Sequence, residues 1–437
     1  MEISNLEAQK FGVNLKDFTR RRYLHVILPL FIVSIIAFLD RVNVAYAGMT
    51  MKETLPWLTP EVFGFGASAF FVGYVVFEVP ASLLAAKFNA MKWVARIMFS
   101  WGIVCVLMTT MTTEIEFYIY RFLLGLCEAS LYPVLYSLLI PHWFIPQERA
   151  KAISYILTSM IFSQIIGAPL AGILLDMNLF GMHGWQTLFI IEAIPAIAFA
   201  FIFALWMKAH PSEANWVTPE EKTFIESELA KEEKAKQSNK KYSILQALSD
   251  PTVLRLCVIY FLWIVGFWGF SFWMPQVLKS VSGWSPTLVG WAIVVPMTAA
   301  LIIQVWCGNS STKTGEKRWH IAITLFIGAF GLATTPLAPN PFISLICICL
   351  SAVGVYGGMG VWWTVPTTFL SGAAAAGAVS LINSAGNLGG LVGPSMLGII
   401  KANTGSTELG YFVMGGAMFL AGLLCLTLPK EKTQQIK

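Results

Sequence analysis

The amino-acid sequence predicts an all-α membrane protein with twelve transmembrane helices in two six-helix bundles. Three observations lead to this prediction: the composition, the apolar runs and the distribution of basic residues. Of the 437 residues, 56% are hydrophobic and only 12% are charged, and the mean hydropathy is +0.68. Soluble globular chains carry about 25% charged residues, so this chain lacks the polar surface that a water-soluble body needs. The same composition excludes a disordered chain, a collagen and a disulfide-rich secreted domain.

Twelve apolar runs are each long enough, or nearly so, to cross a hydrocarbon core of about 30 Å as a helix. Helices are expected because a lipid-facing backbone must satisfy its own hydrogen bonds, and no run alternates like a barrel strand. The runs cover about residues 23–47, 62–86, 93–111, 117–140, 152–175, 185–207, 253–278, 287–308, 320–338, 342–365, 374–398 and 409–428.

The basic residues indicate how these helices are oriented. With a cytoplasmic N-terminus, the inner segments hold 23 Lys and Arg residues and the outer loops hold three. Loops on the cytoplasmic side are enriched in Lys and Arg, and an even number of crossings returns the chain to that side. We therefore expect a multi-pass protein of the cell inner (plasma) membrane with both termini cytoplasmic. The net charge of +5 reports this orientation and does not indicate a nucleic-acid partner.

A polar segment divides the chain into two halves of six spans. Within it, Thr218 followed by Pro219 and two glutamates predicts the start of a surface helix. A weak repeat, residues 87–93 and 313–319, supports the division because the two copies follow the second and eighth spans. The predicted organisation is a cytoplasmic tail at 1–22, an N-terminal bundle at 23–208, a cytoplasmic linker at 209–250, a C-terminal bundle at 251–428 and a cytoplasmic tail at 429–437.

Six ionisable side chains lie well inside the predicted spans, and all of them belong to the first half. They are Asp40 and Arg41 in the first span, Glu78 in the second, Arg121 and Glu128 in the fourth, and Glu192 in the sixth. A charge at the bilayer centre costs about 2.5–3.5 kcal/mol on insertion scales, so each residue needs a partner, water or a function. The second half has only Arg255, at the edge of a span. The first half therefore supplies the charge that the protein needs.

Helical geometry suggests how four of these residues are arranged. Asp40 and Arg41 are adjacent, so their side chains point about 100° apart. Packing of the first span against the fourth is expected to pair Asp40 with Arg121 and to leave Arg41 free in a cavity. A free guanidinium suits a carboxylate because its fork binds two oxygens, and a nearby acid such as Glu128 would couple binding to proton uptake. The alternative is that these residues form a buried structural ion network.

The uncharged second half is expected to supply shape and hydrogen bonds. Asn383 and Asn387 are four residues apart on one face of the eleventh span. An amide inside a membrane helix bonds either a neighbouring helix or a ligand, and both interpretations remain open. Tyr356, in the glycine-rich part of the tenth span, is a further candidate.

Six stretches of the sequence form recognisable motifs. They are FLDRVNV at 38–44, the stretch at 73–80, RFLLGLCEA at 121–129, the loop at 142–152, and the stretches at 184–192 and 383–394. Together these motifs resemble the anion:cation symporter family of the major facilitator superfamily. The resemblance extends over about residues 23–428, and the motifs of the sixth and eleventh spans are similar to the bacterial tartrate-transporter branch.

The resemblance implies the major facilitator fold and proton-driven uptake of a small organic anion by alternating access. It implies that Arg41 binds the substrate carboxylate. Asp40 and Glu128 would carry protons, and Arg121 would tune their affinity for protons.

Two further positions acquire a role through the same resemblance. Tyr74 and Gln164 match residues that line the cavity in members that carry sugar acids. Phe38 departs from those members, which have a tyrosine at that position, so this chain lacks one hydroxyl there.

We therefore expect a proton-coupled symporter that imports a hydroxy-carboxylate such as tartrate, or a related sugar acid or aromatic acid. An exchanger or uniporter of the same fold remains open, as does a membrane sensor built on a transporter-like body. An enzyme is not expected, because no catalytic His/Cys/Asp cluster and no nucleotide-binding loop occurs. No cofactor, metal or nucleic acid is expected. The expected partners are the anion, the proton and the lipid bilayer, and the chain is expected to act as a monomer.

Overall fold

The computed structural model describes residues 9–237, 250–366 and 373–429, and in these ranges the chain is helical with no β-strand. This confirms the predicted all-α fold. The predicted tail residues 1–8 and 430–437, and residues 238–249 of the predicted linker, lie outside the described ranges.

The membrane helices are numbered α1 to α12 in chain order. Their bounds are Leu28–Ala47 (α1), Pro60–Lys87 (α2), Ala90–Met108 (α3), Glu114–Glu128 (α4), Pro146–Leu175 (α5), Gly184–Trp206 (α6), Pro251–Ser282 (α7), Pro286–Thr314 (α8), Arg318–Thr334 (α9), Pro341–Gly357 (α10), Ala373–Thr404 (α11) and Glu408–Leu426 (α12). Helical residues also precede α1 without a break, so that helix begins at Leu15. The polar turns before residue 23 therefore continue the first helix beyond its apolar span.

Ten helices in the described ranges are long and apolar enough to cross a membrane. The fourth predicted span differs because its helix is interrupted just after Glu128. Ala129 is extended (ψ 140°) and Ser130 is left-handed (φ 74°), a conformation that few non-glycine residues adopt. The chain then resumes as short helical segments through residues 131–143, with a π-helical turn at Leu135–Leu139. α4 therefore covers only the part of the span on the predicted outer side.

The two halves, α1–α6 and α7–α12, pack against each other through α1 with α7, α2 with α11, and α5 with α8. At the predicted outer end, the Asp176 carboxylate accepts hydrogen bonds from the backbone N–H (3.0 Å) and the hydroxyl (2.5 Å) of Thr287. Close by, the Lys279 ammonium donates to the Met49 carbonyl oxygen at 2.7 Å. These contacts hold the predicted outer ends of the halves together.

The linker helix spans Pro219–Gln237, and it begins where the sequence predicted. Its first turn is capped because the Thr218 backbone N–H donates to the Glu221 carboxylate at 3.0 Å. Glu221 also forms an ion pair with Arg21, and Arg149 donates to both Glu232 carboxylate oxygens at 2.7 and 2.6 Å. The linker helix is thereby fixed to the first half.

A histidine pair lies just beyond the end of the fourth predicted span. The His142 and His210 rings are 4.1 Å apart between centroids. Burial, with contributions from His210 and the positive charge of Arg149, lowers the pKa of His142 to about 4. His142 is therefore neutral at physiological pH.

Candidate substrate and proton site

Arg41 and Glu128 form a buried ion pair between α1 and the end of α4. The Arg41 guanidinium donates to the Glu128 carboxylate, and the two side chains are 9% and 2% exposed. Nε of Arg41 has no hydrogen-bond partner in the described part of the chain. The guanidinium therefore retains a free donor next to the carboxylate that it binds.

Five aromatic rings surround the Arg41 guanidinium. Its central carbon lies 5.0–5.8 Å from their centroids, a distance that permits cation–π attraction. The rings belong to Phe38, Phe70, Tyr74, Tyr132 and Trp268. Since Trp268 lies in α7, the positive charge is at the boundary between the two halves.

Close contact between α2 and α4 brings part of this site together. A Cβ atom on Gly125 would lie only 1.9 Å from the Phe70 carbonyl oxygen, so the two backbones touch where only glycine fits. The rings of Phe70 and Tyr74 on α2 then lie beside the wall formed by α4. Glu128 is the last residue of α4, and the interruption that follows places its carboxyl at a helix end.

Asp40 faces away from Arg41, into the first bundle. Its carboxylate accepts hydrogen bonds from the Trp101 indole N–H at 2.7 Å and from the Cys105 thiol at 3.6 Å, both on α3. The expected pairing of Asp40 with Arg121 is therefore wrong, and so is the expectation that Arg41 is free of an acidic partner. Because Arg41 turns towards the second half, its neighbour on the helix must turn towards α3.

Arg121 has no carboxylate partner within the described residues. Its guanidinium donates to the carbonyl oxygens of Gly66 (3.2 Å) and Ala67 (3.4 Å) on α2. It also lies over the rings of Phe70 and Phe272, at 5.3 and 5.6 Å. Arg121 thus contributes a buried positive charge on α4, seven residues before Glu128. It makes no direct bond to Asp40 or Glu128, the two predicted proton carriers.

The second half reaches the site through two amides. The side-chain N–H groups of Asn383 and Asn387 donate to the two carboxylate oxygens of Glu78, each at 3.5 Å. The structure therefore joins two predicted substrate-binding residues to Glu78 across the boundary between α11 and α2.

Gln164 and Tyr356 also meet near this boundary. The Tyr46 hydroxyl donates to the Gln164 side-chain oxygen at 2.5 Å, and Gln164 also lies within hydrogen-bonding reach of Tyr356. Tyr356 is 3.2 Å from the Ser271 hydroxyl on α7. A line of neutral polar groups therefore runs from α1 through α5 to α7 and α10.

Glu192 lies on α6, separate from the Arg41–Glu128 pair. The residue is 4% exposed, and one of its carboxylate oxygens has no hydrogen-bond partner among the described residues. Asn43 of α1 lies beside it, and the charge of Asp40 acts on it.

Several residues of this region are absent from the sequence-based candidates, among them Phe70, Trp101, Tyr132 and Cys105. The sequence contains 31 Phe and 16 Trp residues, so an aromatic residue in an apolar run does not by itself mark a site. Trp101 falls in an apolar run without any polar motif, so only its position opposite Asp40 reveals its contact. In the described ranges, no group of three or more His, Cys, Asp or Glu side chains could hold a metal ion.

Two helical halves that meet at a buried, charged site are the architecture of a membrane transporter. The family model described as "Major Facilitator Superfamily" matches residues 30–394 and 283–437. The chain belongs to the major facilitator superfamily.

Relatives and solved structures agree with this assignment. A protein of Agrobacterium vitis named "Putative tartrate transporter" is 37% identical over 403 residues, 92% of this chain and 89% of that protein. The "Quinolone resistance transporter" of Acinetobacter baumannii is 33% identical, over 96% of this chain and 98% of that protein. The inward open structure of the xylose transporter XylE from E. coli matches 94% of this chain and 97% of that one, with a TM-score of 0.74 and 16% identity. These relatives are transporters and not enzymes, and the resemblance to the tartrate-transporter branch is confirmed.

Proposed function

We propose that the chain is a proton-coupled symporter that imports a small organic anion by alternating access. The Arg41–Glu128 pair carries the proposal, because a substrate carboxylate and Glu128 would compete for one guanidinium. Protonation of Glu128 removes its negative charge and releases Arg41. An anion then binds to Arg41 through a charge-assisted, two-pronged hydrogen bond. Proton and anion therefore bind together, which is the requirement for symport.

The neutral groups around Arg41 favour an anion with further polar substituents, such as the hydroxyl groups of tartrate or of a sugar acid, or the ring of an aromatic acid. Tyr74 lies against Arg41, and Gln164 faces Tyr356 at the boundary. On the opposite side, Asn383 and Asn387 would bind substrate once they leave Glu78. The tartrate transporters among the relatives support this substrate class.

Asp40 and Arg121 act behind this binding site in the proposal. Asp40 is the second proton carrier, since it is adjacent to Arg41 in sequence and its position depends on that of α1. Arg121 places a fixed positive charge on α4 that acts on Glu128. It thereby helps to set how readily Glu128 releases its proton.

We further propose that the protein lies in the cell inner membrane as a monomer, with residues 23–208 and 251–428 as its bundles and both termini cytoplasmic. The distribution of 23 basic residues against three supports this orientation. In this orientation the closed contacts between Asp176 and Thr287 face the outside.

The test is transport in proteoliposomes with radiolabelled tartrate as the probe, alongside a panel of sugar acids and aromatic acids. We expect uphill accumulation when the outside is made acidic. Counterflow without such accumulation would instead establish the exchanger or uniporter, and it would refute proton coupling.

Arg41→Lys tests the guanidinium itself, because the substitution keeps the charge and loses the fork. Loss of a charged hydrogen bond costs about 1.5–3 kcal/mol, so we expect transport to fall by about 10- to 150-fold. Arg255→Lys is the matched control, since Arg255 lies in the first turns of α7 and donates to the Thr427 carbonyl oxygen at 3.5 Å. Wild-type uptake by Arg41→Lys would remove Arg41 from the binding site.

A further inference from the structure

Two buried acids in the first bundle have no cation to neutralise them. Asp40 and Glu192 are 1% and 4% exposed, and neither forms an ion pair within the described part of the chain. The two buried guanidiniums of the bundle are engaged elsewhere: Arg41 binds Glu128, and Arg121 binds carbonyl oxygens of α2. Isolated buried charges are costly, so two unpaired carboxylates within one bundle would be strongly destabilising.

Asp40 and Glu192 lie on two helices that pack against each other, α1 and α6. Asp40 and Asn43 are three residues apart and share one face of α1. Asn43 lies beside the Glu192 carboxyl, and the charge of Asp40 acts on the same group. Asp40, Asn43 and Glu192 therefore belong to one buried cluster between α1 and α6.

The hydrogen bonds within the cluster divide the two acids into different roles. Asp40 accepts from an indole N–H and a thiol, an arrangement that suits a carboxylate. Glu192 has an unpartnered oxygen, and both amide atoms of the fully buried Asn43 lack a partner within the described residues. With its amide oxygen turned to Glu192, Asn43 can accept the O–H of a neutral carboxyl. A proton thus fills the one donor position that the cluster lacks.

We propose that Glu192 and Asn43 form a second proton-binding site, in which the Glu192 carboxyl is protonated and donates to the Asn43 side-chain oxygen, and that Glu192 is thereby a proton-coupling residue. The proton forms an O–H bond on Glu192, and Asp40 remains a carboxylate. The inference rests on the proposed symport, and it adds a residue and a site to it. The site is coupled to the substrate because Asn43 and Arg41 both lie on α1, so a rotation of α1 that moves one moves the other.

Other ionisable groups face Asp40 and Glu192 from the surrounding helices. Cys105 on α3 contacts Asp40 and is acted on by Glu192, Glu128 on α4 acts on Asp40, and Tyr46 on α1 lies near Glu192. Arg121 on α4 acts on Cys105 and on Glu128. The hydrogen bonds of Arg121 go to carbonyl oxygens of α2, so Arg121 does not replace the proton on Glu192.

The direct test is infrared difference spectroscopy of the purified full chain at acidic and neutral pH, without substrate. We expect the wild type to retain a protonated-carboxyl band at pH values well above about 4.3, where exposed glutamates are ionised. The band should disappear in Glu192→Gln and persist in Thr187→Val, a matched control because Thr187 is a buried polar residue on the same helix. A band that is equally strong in wild type and Glu192→Gln would overturn the proposal.

Transport provides the functional measurement, with tartrate as the probe. In Glu192→Gln we expect uptake driven by a gradient of one pH unit to fall at least about ten-fold relative to counterflow. The reason is that one coupled proton drives a ten-fold substrate concentration ratio per pH unit. Glu192→Asp should recover part of the gradient-driven uptake, and it replaces the glutamine variant if that one does not fold. An unchanged ratio in Glu192→Gln would show that the proton on Glu192 has no part in coupling. Absence of gradient-driven uptake in the wild type refutes symport itself, whereas the infrared result still decides whether Glu192 carries a proton.

Discussion

Replacement of Glu128 by glutamine tests the competition on which the proposed symport depends. The glutamine has the same size and lacks the negative charge, so Arg41 loses its acidic partner and keeps its five aromatic neighbours. An anion binding to the wild type must displace the Glu128 carboxylate or arrive with a proton. In Glu128→Gln neither is required.

The expected magnitude follows from the one proton that Glu128 takes up per bound anion. Above the pH at which Glu128 loses its proton, the wild-type dissociation constant should rise ten-fold per pH unit, or about 1.4 kcal/mol. Over two units this is about 100-fold, whereas the variant should change by less than about two-fold. The variant should also be less stable without ligand, since removing one partner of a buried pair costs about 3–5 kcal/mol. Bound anion should restore much of that loss.

The assay is equilibrium binding of tartrate, or of the panel anion that is transported best, to purified protein across a pH series. Glu116→Gln is the control, because Glu116 is a partly exposed acid on the same helix whose carboxylate caps the first turn at Thr112 and Thr113. It should keep the wild-type slope. A Glu128→Gln variant with the wild-type slope would show that another group takes up the coupled proton.

Two further predictions concern stability. The pKa of His142 is lowered to about 4 from 6.5, so between these pH values the unfolded chain binds a proton that the folded chain does not. The free energy of unfolding should therefore fall as pH drops from about 6.5 to about 4. In His142→Gln the melting temperature should fall less over this window, and an identical pH profile would contradict the lowered pKa of His142. Gly125→Ala should lower the melting temperature, because its Cβ would lie 1.9 Å from a carbonyl oxygen of α2 and overpacking costs about 1–3 kcal/mol. Gly416→Ala is the control, since a Cβ there meets nothing within 4 Å; equal melting temperatures for the two variants would show that α2 and α4 are not in close contact.

Hydropathy predicted the membrane helices well because each must present apolar side chains along about 30 Å. The interruption at Ala129 and Ser130 escaped prediction, since neither residue is a proline or a glycine and the surrounding run is apolar. A left-handed serine depends on its tertiary surroundings, here the Trp93 indole, which donates to the Ser130 hydroxyl at 3.2 Å.

The sequence predicted which charged residues form the site, but it did not predict which residues they contact. A charge inside an apolar run is visible in the sequence, so Arg41, Glu128 and Asp40 could be named. Their partners depend on how each helix is rotated about its own axis, and a sequence without alternation between faces does not fix that rotation. Asp40 therefore was expected to meet Arg121, and in the structure it meets Trp101.

The joint after Glu128 has a mechanical consequence. A continuous helix transmits tilt from one membrane surface to the other as a single rod. Here the helix is interrupted one residue after Glu128, so the segment on the cytoplasmic side can change its tilt while the outer segment keeps its own. A change in the charge of Glu128 would then alter the angle between the two segments, and the hydrogen bond from Trp93 on α3 to Ser130 would lie at the hinge between them.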